Sequence, residues 1–504
     1  MRFMGIDMGT SGCKAVVFDE KWGVVCQAYE EYGMYMPGEN MLELDGELVW
    51  EKIARVIRRA NEVTDEPVTA LAISAVGDII IPVDQNGNSL RNAIVDFDFR
   101  GEEEIKEFTE QFGLERFYQI TGMPPVYLGS LAKILWIQKQ EPCLFEKTAR
   151  WATFEDFILQ KMGLPPVASY SEASRTMLFD IRNRDWSAQI LKAAGLKRGR
   201  LPSAAESGTL VGTVPGYIRD QLGFSGEVLA AAGGHDMVCA AVGAGIDERE
   251  PGTAVDIAGT IEGIVVPLAK PNTSMEMCRR FFPCYVGLRG YVTFAVNLTA
   301  GCVVRWYRDE LAADEYRSCR ENGGNFYEFM QRGVDVGRPG SVYLIPHFSG
   351  SGNPFFDAKA KGAVYGLTLE TDRVDLGRAV VEGLAYELRM QLEAYEKAGI
   401  QIRVLRAVGG GSSIDRQLQL KANVTGKIIV KCSVTEASAM GAAVYAAIAA
   451  GALGHPAQAQ EYIRQEEKIF FPEKDSEKRF AKAYGTYRRL SYAIHLLEQQ
   501  EPAQ

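Results

Sequence analysis

Residues 227–245 read Glu-Val-Leu-Ala-Ala-Ala-Gly-Gly-His-Asp-Met-Val-Cys-Ala-Ala-Val-Gly-Ala-Gly. The apolar run Val228 to Ala232 suits a short buried strand, Gly233-Gly234 permits a tight turn, and Met237 to Val242 suits a helix with Asp236 in its first turn. Asp236 is therefore expected at a strand-to-helix corner, where the helix dipole favours an ionised carboxylate and the two glycines leave room for another molecule. A plain helix N-cap would use the same residue, so the corner alone leaves cap and catalytic base open. Its place near the midpoint of 504 residues, between two glycine-threonine turns suited to phosphates, favours the base.

A chain of 504 residues exceeds what one compact domain usually holds, so two large lobes are expected. The formal net charge of −10 argues against nucleic acid or an anionic membrane as the main partner. Nine cysteines, scattered singly, suit free thiols in a reducing cytoplasm better than zinc sites or disulfides. Met1 to Asp7 does not read as a signal peptide, and no apolar run approaches membrane-spanning length.

Outward from the centre, the two glycine turns share one plan. Arg2 to Asp7 reads as a strand, Met8 to Gly12 as a turn, Cys13 to Asp19 as a returning strand and Val24 to Glu30 as a third. Gly9, Thr10, Ser11 and Lys14 supply backbone N–H groups, hydroxyls and a cation for a nucleotide phosphate, and Asp7 could hold magnesium. About 250 residues later, Ala254 to Ala258, Gly259-Thr260 and Ile261 to Pro267 repeat the strand–turn–strand device. Two such units suggest related lobes facing each other across a cleft, with Asp236 at their junction.

These stretches resemble the FGGY family of carbohydrate kinases, within the sugar kinase/actin superfamily. Asp7 to Ser11 with Lys14 resembles the first phosphate motif and Gly259-Thr260 the second. Ser130 to Trp136 fits the first family signature except at Leu128, just before it, where a small or aromatic residue is usual. Gly362 to Leu367, followed by Asp375-Leu376 and Ala379 to Glu382, fits the longer second signature throughout. The resemblance implies an α/β fold of two actin-like, ribonuclease H-like lobes, residues 1–245 binding sugar and 246–504 binding nucleotide. It implies ATP and magnesium as cofactors, Asp236 as base, and His235 beside it at the sugar. A homodimer is common among such relatives.

The second half carries the adenosine end of the expected site. Asn297 to Glu310 reads as a helix opened by a small-residue turn at Ala300-Gly301, and the resemblance sets Gly301 and Arg305 toward nucleotide. Val404 to Val408 reads as a strand and Ile414 to Asn423 as a helix, with Gly409 to Ser413 as the turn between them. Gly409, Gly410 and Gly411 let backbone lie flat against a base or ribose, where a side chain would obstruct; Ser412 in the same turn is a further expected nucleotide contact, and the resemblance adds Asp415. Arg373 to Lys397 reads as a long core helix, Glu436 to Ala450 as a close-packed one, and Lys474 to Gln499 as a charged helix folding back on the body.

The departures fall where relatives hold sugar. Val76-Gly77-Asp78 stands where a Gln-Met-His type of group is usual, and Asp96-Phe97-Asp98-Phe99-Arg100 keeps Asp98 and Arg100 of a Trp-x-Asp-x-Arg pattern but loses the tryptophan. Ser169 replaces a common aspartate. An acidic pocket accepts hydrogen bonds from hydroxyls and repels anions, so the expected substrate is a neutral ketose or polyol of about five or six carbons. A ketopentose such as xylulose is the leading reading. Deoxyhexuloses of the fuculose or rhamnulose type, which the His235-Asp236 pairing resembles, and glycerol are alternatives. An actin-like or chaperone-like ATPase, or a catalytically silent sugar sensor, are the readings outside sugar phosphorylation.

Overall fold

The computed structural model describes residues 1–287, 289–465 and 467–499, with only the backbone described at 498 and 499. Strands β1 (Arg2–Met8), β2 (Gly12–Phe18), β3 (Val24–Glu31), β4 (Val68–Ala75), β5 (Leu210–Thr213) and β6 (Leu229–His235) pair in the order β5-β6-β4-β1-β2-β3. β1, β4 and β6 run parallel and are largely buried, as strands covered on both faces must be. Helix α1 (Gly46–Val63) covers β2 and β3, opened by Asp45, whose carboxylate accepts from the N–H groups of Glu47 and Leu48.

The second sheet contains β7 (Thr253–Ala258), β8 (Glu262–Leu268), β9 (Tyr285–Gly287), β10 (Gly290–Asn297), β11 (Val404–Val408), β12 (Ile428–Lys431) and β13 (Lys468–Phe470) in the order β9-β10-β8-β7-β11-β12-β13. Apart from β9, it repeats the first sheet: an antiparallel three-stranded meander, two parallel strands beside it, then an antiparallel edge strand. The fold is thus the two-lobed, actin-like α/β architecture expected.

Helix α2 (Asp236–Gly243) packs on both sheets, and α3 (Gly301–Trp306) follows β10. The long α4 (Arg373–Lys397) has a capping box formed by Asp372 and Asp375. α5 (Asp415–Thr425) follows β11, and α7 (Lys474–Gln499) returns to the body, where the Tyr487 hydroxyl lies 2.5 Å from Glu387 Oε1. The two sheets lie on either side of residue 245 in sequence, but α6 (Ala437–Ala449) crosses back to pack on α2, β1, β4 and β6. Glycine permits that approach: a Cβ on Gly441 would stand 1.9 Å from Cys239 O, and one on Gly5 would stand 1.8 Å from Ala439 O.

One local expectation fails. Gly233 and Gly234 form no turn; β6 runs through them to His235, and α2 begins at the next residue. A Cβ on Gly233 would lie 1.8 Å from Ile73 O, so this glycine serves the close approach of β6 to β4, not room for a ligand. No helix of the described residues is long and apolar enough to cross a membrane.

Candidate active site

Asp236 opens α2 at the end of β6 and is one third exposed. Its Oδ1 accepts the Met237 N–H at 2.6 Å and lies 3.3 Å from His235 Nε2. Burial, reinforced by the Asp7 carboxylate, pushes its pKa up to about 7. This corrects the expectation that the helix dipole keeps it ionised: desolvation and like charge outweigh the dipole.

The first glycine turn faces Asp236 from the end of β1. Asp7 Oδ1 accepts from Ser74 Oγ at 2.9 Å, and burial lifts this carboxyl to about 6. Gly9 N–H closes the turn onto Gly12 O at 3.0 Å, with Thr10 and exposed Ser11 at its tip. The Tyr32 hydroxyl sits 2.6 Å from Gly9 O and 3.0 Å from Gly12 O, holding the carbonyl side of the turn. Lys14 is not a free cation, since its Nζ pairs with Glu436 at 2.6 Å.

The second turn is stitched to the start of α3. Gly301 N–H reaches Gly259 O at 3.1 Å, and Arg305 Nη1 reaches Thr260 Oγ1 at 3.5 Å. Gly259, Gly301, Arg305, Gly410 and Gly411 line one cavity of about 250 Å³. Ser412 does not line it; its Oγ bonds Gly409 O at 2.7 Å. Asp415 faces away as well, paired with Lys431 at 2.8 Å and Lys468 at 2.6 Å. Glu262, Leu384, Ile414 and Gln417 complete the lining. Lys421 holds Glu262 from behind at 2.5 Å and Asp256 at the same distance.

On the other side of Asp236, Gly77 is required by His235, because a Cβ there would stand 2.6 Å from the ring's Cδ2. Asp78 is buried at a left-handed φ of 67° and pairs with Arg175, while its Oδ1 has no partner. Buried Lys133 donates to the carbonyls of Asp78 and Leu128, and burial lowers it to about 8. Asp96, close enough to Asp78 to feel its charge, is lifted to about 6 chiefly by burial, and its Oδ1 is also unpartnered. Glu172 is buried and raised well above the ordinary carboxylate range by desolvation, with Glu155 and Asp236 adding like charge.

Two expected contacts are not at the cleft. Asp98 is fully buried, its carboxylate taken by Leu42 N–H at 2.7 Å and by Arg100. Arg100 is buried too, spent on Asp98 and on Glu43 at 2.8 Å. Ser169 is the N-cap of the helix Tyr170–Arg175, a local role. The residues missed in the sequence, Lys133, Glu172, Arg175, Tyr285 and Phe294, come from distant segments. Of these, Lys133 lies in a stretch the sequence had singled out, Ser130 to Trp136.

Residues 2–243 match the N-terminal domain of the FGGY family of carbohydrate kinases, and residues 270–450 match its C-terminal domain. A glycerol kinase of Thermococcus gammatolerans is 29% identical over 488 residues, 94% of each chain. A xylulose kinase of Bacillus subtilis is 25% identical over 494 residues, covering 97% of this chain and 96% of its own. The crystal structure of a xyloylose kinase from Brucella ovis superposes with a TM-score of 0.86 at 25% identity, over 99% of this chain and 100% of that one.

Proposed function

Because the chain belongs to the FGGY family of carbohydrate kinases, we propose that it transfers the γ-phosphate of ATP to a terminal hydroxyl of a small neutral sugar, a ketopentose such as xylulose. The observation that carries the reading is the position of Asp236: a carboxylate lifted to about 7 beside the first phosphate turn and open to the cleft through one third of its surface. A base at this pKa accepts the acceptor's proton near neutral pH, and such bases contribute about 10²- to 10⁴-fold. The turns at Gly9–Gly12 and Gly259–Thr260 hold the phosphates from the two lobes, and the cavity between Gly301 and Gly411 takes the adenosine.

Asp7 is the residue that would hold magnesium. One carboxylate fits an ion that keeps most of its water and takes its other ligands from phosphate, and among the described residues no cluster of three or more acidic, histidine or cysteine side chains competes as a metal site. When bound, the ion neutralises charge on the transferring phosphoryl group. The remaining steps belong to the protein: the glycine turns orient the phosphates, Asp236 takes the proton, and the lobes exclude water.

The acceptor side is acidic but internally balanced, with Arg175 on Asp78 and Lys133 among Asp78, Asp96 and Asp98. Neither cation is left over for a carboxylate on the substrate, which supports a neutral acceptor. Glycerol is the second reading, favoured by the 29% identity to a glycerol kinase. Steady-state kinetics on xylulose, ribulose and glycerol against gluconate test this; kcat/KM is expected to be higher for a neutral compound, and a higher value for gluconate would overturn neutrality.

The adenosine assignment has its own test. A Cβ on Gly410, which lines the cavity, meets nothing of the protein within 4 Å, whereas one on Gly411 would lie 2.8 Å from Ala258 Cβ. Gly410→Val is therefore expected to weaken ATP binding by about tenfold or more with the melting temperature unchanged. Gly411→Val should lower both. Calorimetric titration with ATP and a thermal melt separate the two, and full ATP affinity in Gly410→Val would move the adenosine elsewhere.

A further inference from the structure

A tyrosine of the second lobe reaches the first lobe's base through a histidine. Tyr285, on β9, is fully buried, and its hydroxyl lies 3.0 Å from His235 Nδ1. On the other edge of that ring, Nε2 stands 3.3 Å from Asp236 Oδ1. We propose that Tyr285 acts through His235 as a positioning relay that holds the Asp236 carboxylate in its proton-accepting orientation. The proposal rests on the reading of Asp236 as the base.

The direction of the hydrogen bonds follows from chemistry. Burial keeps His235 neutral and pushes the Tyr285 hydroxyl far above its ordinary pKa, so the tyrosine retains its proton and can donate it. If Tyr285 O–H donates to Nδ1, the ring proton is on Nε2, the nitrogen on the Asp236 side of the ring. The opposite tautomer would set the Nε2 lone pair against a carboxylate. Oδ1 then accepts the Met237 N–H at 2.6 Å and has the protonated Nε2 edge of the imidazole 3.3 Å away. Oδ2 is left for the acceptor hydroxyl.

Every member is fixed from outside the relay. The His235 N–H donates to Ser171 Oγ at 3.0 Å, and the absence of a side chain at Gly77 leaves the ring its place. Tyr285 packs beside the Arg175 guanidinium, which lies 5.5 Å from its ring centroid and 4.7 Å from that of Phe294. Its strand is pinned to the first lobe on both sides, by Cys284 N–H to Gly122 O at 2.7 Å and Val286 N–H to Ser174 Oγ at 3.4 Å. A second-lobe strand fastened in this way gives the base an orienting group that the first lobe alone does not contain. Orientation held by supporting residues is worth up to about a hundredfold in rate when lost.

Tyr285→Phe removes the hydroxyl and keeps the ring against Arg175 and Phe294. It is expected to lower kcat by about tenfold to a hundredfold with KM for ATP and the melting temperature unchanged. It should also move the acid limb of kcat/KM to higher pH, because a donor that favoured the ionised carboxylate is no longer held in place. Asp7, Asp78, Asp96, Glu172 and Arg175, which also face this region, are untouched by the change. His235→Leu should show the same shift, and His235→Gln, which restores an N–H near the Nε2 position, should recover part of the rate. Wild-type kcat and an unmoved acid limb in Tyr285→Phe, with Asp236→Asn inactive, would overturn the relay and leave the base standing. An active Asp236→Asn would remove the base and the relay together.

Discussion

Asp236→Asn is expected to lower kcat for sugar phosphorylation by about 10²- to 10⁴-fold while ATP affinity stays at the wild-type value. The amide matches the carboxylate in shape and can still accept the Met237 N–H through its oxygen, so α2 keeps its first turn. What it cannot do is take a proton. The wild-type protein should show a matching pH dependence. A carboxyl raised to about 7 is protonated and inactive below that pH, so kcat/KM for the acceptor rises as pH increases through about 7. Initial-rate measurements on both proteins between pH 5 and 9, a range set around that limb, check the two together. A variant retaining more than about a tenth of wild-type turnover would exclude Asp236 as the base.

The second large effect is on stability. Gly441→Ala is expected to cost about 3 kcal/mol or more, although alanine in place of a helical glycine ordinarily gains up to about 1 kcal/mol. The sign reverses because the new Cβ would stand 1.9 Å from Cys239 O, where α6 meets α2 backbone to backbone. Gly243 and Gly5 repeat the contact, at 1.9 Å from Ala437 O and 1.8 Å from Ala439 O, so no local shift relieves it. Gly485 in α7 is the control: a Cβ there meets nothing within 4 Å, and Gly485→Ala should stabilise the protein slightly. Denaturant midpoints for the two variants should move in opposite directions; equal stability of Gly441→Ala and wild type would contradict the packing of α6 on α2.

The strands flanking both glycine turns were readable in the sequence because apolar runs and turn residues alternate there without ambiguity. The same holds for Arg373–Lys397, a long periodic segment without breakers. Gly233-Gly234 misled because a glycine that lets two strands approach looks the same in sequence as one that turns the chain. The candidate site was legible where it consists of backbone: Gly259, Gly301, Gly410 and Gly411 converge on one cavity. It was least legible where side chains decide. Asp98 and Asp415 look like ligands in isolation, and only the fold brings Arg100 and Leu42, or Lys431 and Lys468, to consume them. Arg175 meets Asp78 across 97 residues and Tyr285 meets His235 across 50, separations over which no local pattern carries information.

Product analysis of ATP turnover, with and without a panel of ketoses, polyols and sugar acids, tests phosphoryl transfer to a sugar hydroxyl. ADP is expected to form at an appreciable rate only when a neutral acceptor is present, with the phosphate esterified to a terminal hydroxyl of that acceptor. ADP and free phosphate released at the same rate with no acceptor would make the protein an ATPase of the actin type, and absence of turnover with every acceptor that binds would make it a silent sensor. Either result would contradict phosphoryl transfer at Asp236.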